Sequence, residues 1–85
     1  MLTVEDKLCE FIVERLGFDG APEDLTRRQP LELPALLDSE EVLEMVTWIE
    51  EEFDVEIEDE EINGTNFLTV PHLVRFVESK LAVGS

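Results

Sequence analysis

Apolar residues along this 85-residue chain fall into three stretches of helical spacing, separated by two stretches with no period. In the first, Val4, Leu8, Phe11, Ile12 and Leu16 share one stripe, the pattern of a helix with one face on a core. Thr3 with Asp6 three residues later has the form of a capping box, so a helix is predicted from about Val4. Gly17 can take the left-handed conformation after the last turn and is the predicted stop. In the second stretch Val42, Met45, Val46, Ile49 and Phe53 form the core face of a helix from about Ser39 to Phe53. Asp38 is its predicted N-cap, and Glu41 completes an acidic capping box. In the third, Val70, Leu73, Val74, Val77 and Leu81 repeat the offsets 0, 3, 4, 7 and 11 of the second stripe. Thr69 caps this helix, and Pro71 is tolerated in its first turn. Two matching stripes imply two helices packed against the first.

The stretches between are different in kind. From Phe18 to Asp38, Gly20, Pro22, Pro30 and Pro34 punctuate the chain and no period survives. A connection this long tends to be functional or pinned by its own side chains, here Leu25, Leu31, Leu33 and Leu36. Ala21 to Leu25 suits a brief helical turn. Arg27-Arg28 is the one basic pair, better read as a local salt bridge to acidic surface than as a phosphate site. Between Asp54 and Gly64 the chain is dense in acid, but a calcium loop of the EF-hand kind needs glycine at its sixth position, where Asp59 stands. A loop, then a short helix near Asp59 to Ile62 ending at Asn63-Gly64, is expected. Gly84-Ser85 reads as a frayed end.

The expected fold is therefore all-α, a small three-to-four-helix bundle with a long first loop, in a single domain over residues 1–85. This is near the lower size limit for a core without staples. Cys9 is the only cysteine, so no disulfide can form within the chain. It lies beside the first stripe as a half-buried structural thiol, and a lone thiol fits a reducing compartment. A formal charge of −16 argues against nucleic acid, which needs a lysine and arginine footprint, and for basic protein partners or simple solubility. No basic segment followed by an apolar run opens the chain and no stretch approaches a membrane span, so a cytoplasmic, membrane-free protein is expected.

Catalysis fails by inventory. A serine nucleophile needs a base within hydrogen-bond reach, and the only histidine, His72, is 33 positions after Ser39 behind its own helix cap. It reads as a surface residue without a partner. One histidine and one cysteine cannot build a zinc site of the usual kind, and no glycine-rich phosphate loop occurs. Ser39 is left as a residue acted upon: a helix N-terminus favours an anion such as a phosphate ester. The competing view is that Ser39 is only a helix cap.

Leu36-Leu37-Asp38-Ser39 resembles the attachment motif of the acyl and peptidyl carrier protein family, an Asp-Ser pair whose serine carries a phosphopantetheine arm. The run from Glu50 through Ile57, then Asp59-Glu60-Glu61, resembles the end of that family's second helix and its acidic third segment. Phe67-Leu68-Thr69-Val70 with Leu73 and Val77 resembles the entry to its fourth helix. Two departures stand out. The residue after the serine is usually leucine or methionine and here is Glu40, which bears on partner choice, and the glycine common before the motif is replaced by Ala35 or Leu36. The Ala-Leu-Leu-Asp-Ser run and the Ile62 to Phe67 segment look more like stand-alone carriers of specialised metabolism.

The resemblance implies a bundle of acyl-carrier type that catalyses nothing itself. It implies phosphopantetheine covalent on Ser39, holding acyl, aminoacyl or peptidyl intermediates as thioesters for a polyketide or nonribosomal-peptide pathway. The implied partners are a phosphopantetheinyl transferase, a loading enzyme of acyltransferase, adenylation or ligase type, and a downstream synthase, with the carrier a monomer. Asp38, Glu40, Leu43, Glu44, Thr47 and Glu50 are the candidate partner-binding surface by position relative to Ser39. The rival is an acidic helical adaptor in which Ser39 only caps.

Overall fold

A computed structural model describes residues 3–21, 23–26 and 28–84, excluding the side chains at 83 and 84; expectations at Pro22, Arg27 and Ser85 lie outside the described residues. Helix α1 (Val4–Glu14) starts at the predicted box: the Asp6 N–H donates to Thr3 Oγ1 (3.1 Å) and the Thr3 N–H to Asp6 Oδ2 (3.2 Å). Leu8, Phe11 and Ile12 are buried, whereas Val4 and Leu16 at the ends of the stripe are half-buried. Gly17 has φ +74°, the left-handed stop expected of it.

The region from Phe18 to Asp38 is more ordered than its sequence suggests. Two single-turn helices punctuate it, α2 (Glu23–Thr26) and α3 (Leu33–Leu36). Leu25 and Leu33 are buried, Leu31 and Leu36 half-buried, and Leu37 adds a further buried contact. The Leu33 N–H donates to the Leu68 carbonyl (2.7 Å), tying this region to the entry of the last helix. Arg28 is exposed and makes no salt bridge with a described residue, so the expected local pairing is not seen there.

Helix α4 (Ser39–Phe53) and helix α5 (Val70–Gly84) complete the bundle, with a single 3-10 turn at Asp59–Glu61 where a short helix was expected. The backbones of α5 and α1 pack against each other. Helix α4 meets α1 through long side chains: Trp48 stacks on Phe11 (4.4 Å between centroids) and meets Phe53 edge-on, and Lys7 bridges Glu52 (3.1 Å). Thr69 caps α5 by accepting the His72 N–H (3.3 Å). His72 is half-buried with its Nδ1 against Thr69 Oγ1 (2.6 Å), so it is not the partnerless surface residue expected. The buried face of α5 is Val70, Leu73, Phe76 and Val77, while Leu81 at the end of the predicted stripe is exposed.

Cys9 is buried rather than half-buried. Burial, reinforced by the charges of Glu5 and Asp6, pushes its thiol from 9.0 up to about 11. A thiol harder to ionise when folded contributes stability that is complete below pH 9 and lost as the pH rises toward 11. The urea midpoint of the protein should therefore fall more steeply over that window than that of Cys9→Ala. Parallel curves for the two would show that the thiol is not shielded.

Candidate functional site

The capping box at the start of α4 decides what Ser39 is free to do. The Glu41 N–H donates to Asp38 Oδ1 (2.9 Å) and the Asp38 N–H to Glu41 Oε1 (3.1 Å). Asp38, in extended conformation, is thus the cap, and Ser39 is the first helical residue. Ser39 is exposed, and its hydroxyl makes no hydrogen bond to a described residue. The N–H groups of Ser39 and Glu40 have no backbone acceptor, as the geometry of a first turn requires. An exposed hydroxyl beside two free N–H groups at the positive end of a helix is suited to an esterified anion.

Ser39 stands at the rim of an open cleft of about 420 Å³. One side is Leu33, Pro34 and Leu37; another is Val42, Leu43 and Met45 of α4; the third is Ile62 to Gly64 with Phe67. Most of its lining is apolar, and among the described residues Asp38 is the only charged one on it. The volume lies within the roughly 300–1,000 Å³ range of small-ligand sites. Val42, predicted as core, is half-buried because it faces this cleft. The cleft was missed by sequence reasoning; the one signal in the sequence was the run Ile62 to Phe67, read there only for its likeness to stand-alone carriers.

The candidate partner surface divides. Glu40, Glu44 and Thr47 are exposed, and Leu43 is 58 % exposed at the cleft edge. The Thr47 hydroxyl is turned back to donate to the Leu43 carbonyl (3.1 Å). Asp38 is exposed but its carboxylate is committed to the cap. Glu50 does not belong with the others: it is half-buried, and its Oε2 accepts the Ile57 N–H (3.0 Å), fastening the chain after α4. Among the described residues no group of three or more His, Cys, Asp or Glu could hold a metal ion, and no helix is long and apolar enough to cross a membrane.

No family model matches the chain. No solved structure matches it either. Among curated proteins it is similar to the acyl carrier protein of Streptococcus thermophilus, 44% identical over 79 residues that cover 93% of this chain and 97% of the relative. The chain belongs to the acyl carrier protein family. An acyl carrier protein of an Exiguobacterium species is 36% identical over 72 residues, covering 85% of this chain and 86% of that one. Acyl carrier proteins bear a covalent phosphopantetheine group on a serine and have no catalytic activity of their own. The residues present fit that group: a serine hydroxyl not used in capping, unpaired N–H groups beside it, and an apolar cleft opening from its rim. The helical architecture fits the family as well, with three long helices and no strand among the described residues.

Proposed function

We propose that Ser39 is the attachment residue of this acyl carrier protein, and that residues 1–85 form one monomeric carrier domain working in the cytoplasm for a polyketide or nonribosomal-peptide type of pathway. The observation that carries the assignment is the free Ser39 hydroxyl at the mouth of the cleft, with capping done by Asp38. This also removes support from the adaptor reading, which needed Ser39 as the cap. When bound, the arm supplies a terminal thiol on which an acyl group is held as a thioester. The chain's own residues orient and shelter. The Asp38 and Glu41 box fixes the first turn, so the hydroxyl is presented outward with the N–H groups of Ser39 and Glu40 beside it. Leu37, Val42, Met45 and Phe67 offer an apolar wall, worth about 0.8 kcal/mol per methylene withdrawn from water. With Asp38 the one carboxylate among its described lining, and that one committed to the cap, the cleft suits an uncharged acyl chain better than an aminoacyl ammonium.

Incubation with coenzyme A and a broad-specificity phosphopantetheinyl transferase should add one arm to the intact mass. An unchanged mass returns the chain to the class of acidic interaction modules. The transferase, the loading enzyme (acyltransferase, adenylation or ligase type) and the downstream synthase would meet Glu40, Leu43, Glu44 and Thr47. Glu40→Lys with Glu44→Lys should slow association with a basic partner by about threefold to tenfold at low salt and flatten its salt dependence. Stopped-flow rates across a salt series test this, and unchanged slopes would place docking elsewhere.

A further inference from the structure

The third wall of the cleft is held in an unusual way. From Glu58 to Phe67 the polar bonds are almost entirely internal. Asn63 accepts the N–H groups of Thr65 and Asn66 on Oδ1 (both 2.9 Å) and donates to the Glu60 carbonyl, and Asn66 Nδ2 donates to the Glu61 carbonyl (3.0 Å). The Phe67 N–H returns to the Asn63 carbonyl (3.0 Å). Among the described residues this segment has one polar tie to the rest of the molecule: Lys80 Nζ of α5 donates to Glu61 Oε1 (2.6 Å). The same oxygen accepts the Glu58 N–H (2.9 Å). Both side chains are about three-quarters covered, with 24 % and 29 % exposed, which separates the pair from freely solvated surface bridges. Lys80, with the Glu58 N–H helping, holds the Glu61 carboxyl below its ordinary value. A second route runs through rings: Lys80 lies over Phe76 (5.6 Å), and Phe76 meets Phe67 (5.9 Å), which lines the cleft.

We propose that Lys80 is a positioning residue for the cleft: through Glu61 and through Phe76 it holds the Ile62 to Phe67 wall in place, and so sets the length of acyl chain the cleft shelters. This rests on the assignment of the cleft as shelter for cargo on Ser39. Losing the segment's one external polar tie loosens its internal bonds, so the cleft widens on the Ile62 side while the α4 wall stays. Lys80 touches no cargo; it acts on the shape of the space.

Lys80→Met keeps an unbranched apolar side chain of similar length beside Phe76 and removes the charge. Glu61→Gln keeps an oxygen for the Glu58 N–H and removes the partner charge. In the protein without its arm, hydrogen exchange at the Ile62 and Phe67 amides should quicken about threefold in either variant, with amides in the middle of α1 unchanged. In protein loaded through Ser39 with hexanoyl or dodecanoyl groups, the ratio of the two thioester hydrolysis rates should shift about threefold toward protection of the longer chain. Simple destabilisation would speed both hydrolyses together and leave the ratio where it was. Exchange that rises equally in all helices, or not at all, overturns the proposal, as does an unchanged ratio on loaded protein. A chain that takes no arm overturns the attachment assignment and this proposal with it. That result is read by mass before any variant is compared.

Discussion

Ser39→Ala should abolish arm addition completely and leave the fold untouched. The reason is the division of labour at the start of α4. Asp38 and Glu41 exchange the two bonds that satisfy the first turn, and Ser39 contributes none. Alanine is the best helix former, so in the first helical position it should change stability by less than about 0.5 kcal/mol. Asp38→Ala gives the complementary result. It removes the cap and should cost about 1 kcal/mol while leaving the hydroxyl to be modified. Intact mass and thermal melting on the two variants separate the roles. An alanine variant that still gains an arm would place attachment at another hydroxyl, and one that melts far below the parent would restore Ser39 as a structural cap.

Leu25→Ala should bring the protein close to unfolding. Leu25 sits in the four-residue helix α2, within a stretch that has no period in the sequence, yet its side chain is fully buried and α2 lies against α5. Truncating a buried leucine costs about 2–5 kcal/mol, including the cavity left behind. At about 0.05–0.15 kcal/mol per residue, a domain of this length has only roughly 4–13 kcal/mol in all. Each kcal/mol lowers the melting temperature by about 4–8 °C in a domain this small. Leu43→Ala on the exposed face should change stability by less than about 0.5 kcal/mol. Equal small effects at both positions would mean that the first loop contributes nothing to the core.

The contrast shows which features could be read from the chain. Both predicted capping boxes, at Thr3 with Asp6 and at Asp38 with Glu41, are local, three residues apart, and so are written in short stretches of sequence. The stripes through Leu8, Met45 and Leu73 follow from helical period for the same reason. Helix α3 could not be read that way, because a single turn has no period and Leu33 is fastened by the distant Leu68 carbonyl. Phe76, outside the predicted stripe, is buried against Phe67, and Leu81 in the last turn is exposed, a difference that only packing sets. At the site, the Asp-Ser pair and its helix were legible. The cleft was not, since α3, α4 and the Ile62 to Phe67 segment meet there only in the folded chain. Glu50 looked like one more surface acid until its bond to the Ile57 N–H gave it a fastening role.

The Phe11 and Trp48 stack also makes the protein its own optical reporter. The chain has one tryptophan and no tyrosine, so near-ultraviolet absorption above the phenylalanine bands and intrinsic emission both come from Trp48. That ring sits in a groove with Lys7, Arg15 and Glu52, separate from the Ser39 cleft. Emission wavelength therefore reports whether the seam between α1 and α4 is closed, without a label and without interference from whatever the serine carries.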